Sequence, residues 1–321
     1  MRFNLPLLAI SSTLALVACN QLPEPSTPSA NIAFAAPAGW QLVWHDEFEG
    51  KQLDRSKWTP EQNCWGGGND EQQCYTDRPE NIMVKDGLLH LIARAENFSG
   101  PDIVEDAANF DPKRQRTLPY TSGRIRSKGQ GDWRYGRIDV SAKLPGGQGS
   151  WPAIWMLPTD NVYGAWPLSG EIDIMEAVNL GTQSDEENAA MGEPERRIHG
   201  TLHYGKRAPN NTYSGESYKL PAGASPTDGF NTYSIEWEEG EIRWYMNGVH
   251  YATRTSADWF TDAAQIMPGI GEHAPFDQRF HLLLNLAVGG NWAGNVNEKG
   301  IDAGIFPQSM QVDFVRVYQK L

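Results

Sequence analysis

The sequence is short of cysteine, of positive charge and of long apolar runs. Three cysteines occur in 321 residues, so at most one intramolecular pair can form once one of them is used elsewhere. Lysine and arginine number 27 against 40 acidic residues, a formal charge of −13. A chain this acidic is a poor partner for nucleic acid and for polyanionic polysaccharides. The one long apolar stretch, in MRFNLPLLAISSTLALVAC at the N-terminus, is too short for a comfortable transmembrane helix. Few segments keep a helical period over three turns, and no internal repeat is visible.

What is present favours strands. A chain that is 40% hydrophobic and 11% aromatic can bury a sizeable core, as one large domain or two small ones. Gly at 32 and Pro at 21 are scattered, which suits many turns. RIDVSAKL (137–144) and VDFVRVY (312–318) alternate in polarity. RWYMNGVHYATR sets Asn247-Gly248 between two alternating runs, a strong hairpin signal. FHLLLNLAVGG (280–290) reads as a buried strand. Together these predict an all-β, antiparallel two-sheet sandwich. Two long polar segments, 96–119 and 181–198, fit poorly and are expected as insertions at the rim, over a site. Twelve tryptophans are either core or flat apolar faces of the kind a sugar ring stacks on.

The N-terminus reads as a secretory signal. Its end, LVAC, resembles a bacterial lipobox. That resemblance implies a lipoprotein signal peptide over 1–18 and lipidation of Cys19; a plain signal peptide cleaved nearby is the alternative. Loss of 1–18 removes Arg2 and makes the charge one unit more negative. Asn20, rather than Asp, after Cys19 points by analogy to the outer membrane or cell surface of a Gram-negative cell. Residues 19–39, rich in Pro, Ser and Ala, are expected to tether a domain spanning 40–321. In an exported chain Cys64 and Cys74 are candidates for a disulfide, with two free thiols as the alternative.

Residues 170–177, GEIDIMEA, carry three carboxylates, Glu171, Asp173 and Glu176. A strand alternates faces, so Glu176, five positions after Glu171, should point away. A plain acidic edge strand would keep the alternation, which ExDxxE breaks. A β-bulge would restore Glu176 to the face of the other two. Three carboxylates on one face repel unless they share protons, hold a metal or serve a reaction. The flanks lack the Asn/Asp/Gly spacing of a calcium loop. Glycoside hydrolysis needs one ionised and one protonated carboxylate, and a third between them could hold the two apart in proton affinity.

WPAIWMLP, WPLSGEIDIMEAVN, GTLHYG and LNLAVGGNWAG, with YTSGRIRS before and FPQSMQVDFVRVYQK after, resemble glycoside hydrolase family 16. The likeness runs from about Trp40 to the C-terminus and is nearest to bacterial laminarinases, endo-β-1,3-glucanases. The resemblance implies a concanavalin A-like β-jelly-roll sandwich with a concave substrate cleft, retention of configuration and no cofactor for catalysis. It implies Glu171 as nucleophile, Glu176 as general acid/base and Asp173 as their proton-sharing partner. It further implies a β-glucan partner, met by Asn69, Glu71, Arg124, Trp151, Trp155, Trp166, His203 and Trp292. A structural calcium on the convex face would be held by Glu47, the Gly87 carbonyl and Asp313. The expected protein is a monomer that meets the membrane only through its lipid. The alternatives are agarose or another neutral galactan as substrate, a non-catalytic glucan-binding protein, and transglycosylation. Sulfated substrates are disfavoured because few basic residues stand near the motifs.

Overall fold

Alternating polarity with frequent turns produces two stacked sheets. The computed structural model describes Met1 and residues 36–321, and Ala36–Leu321 form one compact unit. The signal peptide, Cys19 and nearly all of the tether lie outside the described residues. In chain order the strands are β1 (Trp40–Asp46), β2 (Thr59–Pro60), β3 (Gln73–Tyr75), β4 (Ile82–Lys85), β5 (Leu88–Pro101), β6 (Gln115–Ser122), β7 (Arg124–Arg126), β8 (Asp132–Trp133) and β9 (Gly136–Lys143). There follow β10 (Ser150–Pro158), β11 (Glu171–Glu176), β12 (Ile198–Tyr204), β13 (Thr212–Tyr218), β14 (Asn231–Glu238), β15 (Glu241–Met246), β16 (Val249–Thr255), β17 (Phe280–Val288) and β18 (Gln308–Lys320). One sheet runs β16-β15-β14-β9-β18-β5-β6-β3, with β1 on β18 and β4 on β5. The other runs β13-β12-β11-β10-β17-β7-β2, with β8 on β17. Pairing is antiparallel throughout except β3 against β6, which is parallel.

The core lies between the sheets. β12, IHGTLHY, alternates strictly: Ile198, Gly200, Leu202 and Tyr204 face inward, and His199, Thr201 and His203 face out. β17 is buried along its whole length, His281 and Leu283 lying at the floor of a cleft. The expected hairpin forms at Asn247-Gly248, with φ of 51° and 75°, the two positive angles of a type I′ turn.

Three expectations change. RIDVSAKL alternates in polarity but not in burial, since Asp139 and Ser141 are covered on the outer face, Asp139 beside Arg137 at 2.9 Å. VDFVRVY carries a register shift between Val312 and Phe314. Segment 96–119 is not wholly an irregular insertion: β5 and β6 extend as a hairpin paired from Arg94↔Thr121 to Pro101↔Gln115, and residues 102–114 form the loop at its tip. The polar composition misled because one face of this extension is exposed, at Ala95, Asn97, Ser99, Thr117 and Pro119, and only Phe98, Gly100 and Leu118 on the other pack by the disulfide.

Cys64 and Cys74 form a disulfide, so the free-thiol alternative falls. Closing so short a loop stabilises by about 3 kcal/mol in the chain-entropy account. Between the cysteines, Gly66, Gly67 and Gly68 all have positive φ. A Cβ on Gly67 would sit 2.0 Å from Glu71 Oε1, so only glycine lets the loop close over that carboxylate.

Glu47 does not have the freedom a calcium ligand needs. Arg316 donates to both of its oxygens, at 2.9 and 2.8 Å, and Asp313 accepts from Ser141 Oγ at 3.2 Å. A divalent ion at Glu47, Gly87 and Asp313 would meet a guanidinium already in place. As arranged, the Glu47 carboxylate is committed to Arg316, which leaves the Gly87 carbonyl and Asp313 of the expected set.

Candidate active site

The bulge expected in GEIDIMEA is present. Across from β12 the register jumps between Asp173 and Glu176, and across from β10 Ile154 pairs Met175 while Trp155 pairs Asp173. Ile174 and Met175, adjacent in sequence, both enter the core, at 1% and 0% exposure. Burying two apolar neighbours shifts the phase by one, so Glu176 returns to the face of Glu171 and Asp173. The Asp173 carbonyl stands at the break in register. Trp244, from β15 in the opposite sheet, donates from Nε1 to that oxygen at 2.8 Å. Gly200 makes the room, since a Cβ there would lie 2.5 Å from Trp244 Cδ1.

The three carboxylates open into a cleft of about 1030 Å³ lined by residues from β13 across to β7. The cleft therefore crosses the strands. Trp166, 44% exposed, donates from Nε1 to Glu171 Oε2 at 2.8 Å. Trp151 Nε1 donates to Glu176 Oε1 at 2.9 Å. His203 Nε2 lies 3.3 Å from Asp173 Oδ2 and 3.9 Å from Glu171 Oε1. Each outer carboxylate thus has its own indole donor, and the central one has an imidazole.

Burial, and next the charge of Asp173, push Glu171 up to about 8 and Glu176 well above the usual carboxylate range. His203, the Trp166 indole and Arg124 pull Glu171 back down. Glu176 has His203 and the Trp151 indole against it, and also feels Glu171. Both outer carboxylates therefore hold a proton more tightly than a free acid, and Glu171 has one favourable neighbour, Arg124, that Glu176 lacks. Burial alone would lower His203, but the hydrogen bond and charge of Asp173, with Glu171 and Glu176 behind it, hold it up to about 10. At neutral pH His203 is an imidazolium in the midst of the three acids.

The other expected residues divide by role. Trp155 is half-buried on the cleft and donates to Asn285 Oδ1 at 2.7 Å. Asn285 donates to the Tyr75 hydroxyl at 3.1 Å, and Tyr75 to Glu71 Oε2 at 3.4 Å. Glu71, 6% exposed, also accepts from Gln73 Nε2 at 2.7 Å. It lines the cleft but acts by anchoring this network. Asn69, exposed on the cleft beside it, donates from Nδ2 to Glu71 Oε1 at 3.4 Å. Arg124 lies 4.8 Å from the Trp155 ring and 3.2 Å from Glu61 Oε1, a support under the tryptophan. Trp151 is 8% exposed and packs edge-on to Trp292 at 5.4 Å, so Trp292 forms the wall and Trp151 its backing.

Several cleft residues carry no motif. His199 lines it opposite Glu176 and 5.1 Å from the Trp292 ring; burial, with Arg197, holds it down to about 4. The period of two in IHGTLHY places it on the face of His203. Trp65, from the disulfide loop, and Tyr213, from β13, add exposed aromatic faces. Arg126 and Lys128 also line the cleft. This corrects the expectation of few basic residues near the motifs: Arg126 stands two residues after Arg124 in YTSGRIRS, on β7, and Lys128 follows that strand.

Two carboxylates of raised proton affinity on one face of an open cleft, walled by indole rings, define a glycoside hydrolase. The sequence comparisons say which kind. Residues 40–320 match the family model described as beta-porphyranase A-D, GH16 domain, and the chain belongs to glycoside hydrolase family 16. Glucan endo-1,3-beta-glucosidase A1 of Niallia circulans is 40% identical over 293 residues, 89% of this chain and 39% of the relative. Against that relative the chain spans well under half the length. The beta-glucanase of Rhodothermus marinus is 38% identical over 294 residues, 87% of this chain and 85% of the relative. The X-ray structure of the laminarinase from Rhodothermus marinus matches at 36% identity with a TM-score of 0.67, covering 88% of this chain and 98% of that one. The two-sheet sandwich is therefore a family property.

Proposed function

We propose that the chain hydrolyses internal linkages of a laminarin-like β-1,3-glucan, mixed-linkage glucan included, with retention of configuration. One observation carries this reading: the bulge puts Glu171, Asp173 and Glu176 on one face, with a separate indole donor on each outer carboxylate. Glu171 attacks the anomeric carbon. Glu176 gives its proton to the departing glycosidic oxygen. The glycosyl-Glu171 ester is then opened by water, whose proton Glu176 takes. Asp173 holds His203 charged beside Glu171, and that charge favours the ionised nucleophile at each turnover. Trp166, exposed next to Glu171, offers the stacking face nearest the reacting bond.

Chemical rescue separates the roles. Glu171→Ser and Glu176→Ala are each expected to lose laminarin hydrolysis, Glu176→Ala by about 10²- to 10⁴-fold. With an activated aryl β-glucoside, azide should restore turnover of Glu176→Ala and give the β-azide. Near-normal laminarin hydrolysis by either variant would overturn the assignment. A panel of laminarin, mixed-linkage glucan, agarose, porphyran and carrageenan tests the substrate; fastest release from agarose or porphyran would replace the glucan reading with a galactan one.

We also propose export as a monomeric lipoprotein anchored through Cys19, on the strength of the LVAC motif. Cys19→Ala should move the protein from the membrane fraction to the soluble one. Retention in the membrane would refute the anchor.

A further inference from the structure

The tip of the β5–β6 hairpin is fastened to the cleft by charge. Asp106 Oδ2 lies 3.1 Å from Arg126 Nη1 and 2.7 Å from Lys128 Nζ. Beside it, Glu105 accepts from the Gln62 backbone N–H and from Asn63 Nδ2 at 3.3 Å, next to the disulfide loop. Val104 and Asp106 themselves line the cleft. Arg126 is also 3.7 Å from Glu61 Oε1.

These cations stand on the substrate path. Asp173 pairs Trp155, Trp155 pairs Leu283, and Leu283 pairs Arg126. Arg126 is thus three strand spacings, about 14 Å, along the same row from the catalytic carboxylates. A chain of sugars lying across the strands passes over Arg126 and Lys128. Arginine and lysine are the side chains that hold sulfate and carboxylate groups. Here a single carboxylate from the hairpin tip bridges both.

We infer that Asp106 is a specificity-determining residue: by occupying Arg126 and Lys128 it reserves this arm of the cleft for uncharged sugars, and its removal opens the arm to sulfated ones. The cations take their counter-charge from the protein, so an anionic substrate has to displace Asp106 to reach them. Asp106 is fit for this, because Lys128 and Arg126 overcome the effect of burial and hold it down to about 2, ionised at every working pH. The inference rests on the glucanase reading for the identity of the uncharged sugar.

The test is binding of laminarin and of laminarin sulfate, by calorimetry at low salt, to the full chain carrying Glu176→Gln so that neither is cleaved. Adding Asp106→Asn, which keeps the shape, should tighten laminarin sulfate by at least about tenfold, the scale of one charge-assisted contact, and shift laminarin much less. Asp106→Ala should act in the same direction. The gain should vanish when Arg126→Gln and Lys128→Gln are added, and fade at roughly 0.5 M salt. Equal affinity for laminarin sulfate with and without Asp106, or a gain that survives loss of both cations, would overturn the inference. If the folded parent fails to bind laminarin, the glucanase reading falls, while the laminarin sulfate comparison still decides the role of Asp106.

Discussion

At the β11 end of the cleft three acids, Glu171, Asp173 and Glu176, face one imidazole. At the β7 end two acids, Glu61 and Asp106, face Arg124, Arg126 and Lys128. Glu171 is largely withdrawn from water and Asp106 is exposed, and their chemistry diverges. Where acids outnumber cations, Glu171 and Glu176 are pushed up and share protons. Where cations outnumber acids, Asp106 is held down to about 2 and never carries a proton in the working range. Local charge and depth of burial together decide whether an acid is held protonated or ionised: Glu171 is desolvated beside another acid, whereas Asp106 is exposed between two cations. Local charge also explains how an acidic protein can keep basic residues on a neutral-substrate path: each is answered from within.

The sharpest way to break this comparison is to remove one acid from each end. Glu61→Gln leaves Arg124, buried under Trp155, without its closest counter-charge; denaturant melts should show a loss of about 3–5 kcal/mol. An unchanged midpoint would mean that the β7 cations are not held by pairing. Asp173→Asn at the other end should strike turnover instead, lowering kcat by about 10²-fold. Its charge raises both Glu171 and Glu176, so the basic limb of the pH profile should move to lower pH. A basic limb that stays put would sever Asp173 from the proton-sharing role.

His203→Gln should move the acid limb of kcat/KM to higher pH, because the imidazolium lowers Glu171. The same residue makes stability depend on pH. Its folded value of about 10 lies above the ordinary 6.5, so its contribution is complete below pH 6.5 and is lost as pH rises through 10. Glu171, held near 8 instead of 4.5, adds a cost that grows over 4.5 to 8. Thermal midpoints should fall toward alkaline pH, and less so in His203→Gln above pH 8. The smallest effect is expected from Trp244→Phe, which removes the indole hydrogen bond to the Asp173 carbonyl: about 1 kcal/mol of stability, with kcat reduced and KM unchanged. A change in KM alone would show that Trp244 only packs the core.

The catalytic triplet was legible because its irregularity is local. Five steps from Glu171 to Glu176 cannot fit a plain strand, and the apolar pair Ile174-Met175 marks where the phase slips. His203 was within reach by resemblance, and His199 by the alternation of its strand. Trp244 was not legible: its partner is a carbonyl 71 residues away in sequence, on the other sheet. Arg126 was within reach, two positions after Arg124 on the same strand, but Lys128, beyond the end of β7, was not. The polar run 96–119 looked like a loop because an exposed hairpin and an irregular insertion share a composition.

By itself the sequence determined the sandwich and the three carboxylates, which follow from period-two patterning and short-range spacing, and offered Cys64 and Cys74 as a candidate pair. The tertiary structure decided which charges neutralise one another. It set Glu47 against Arg316, Glu61 against Arg124, and Asp106 against Arg126 and Lys128. The reason is physical: alternation is a property of consecutive residues, whereas the field at a carboxylate is a sum over whatever the fold brings within a few ångströms.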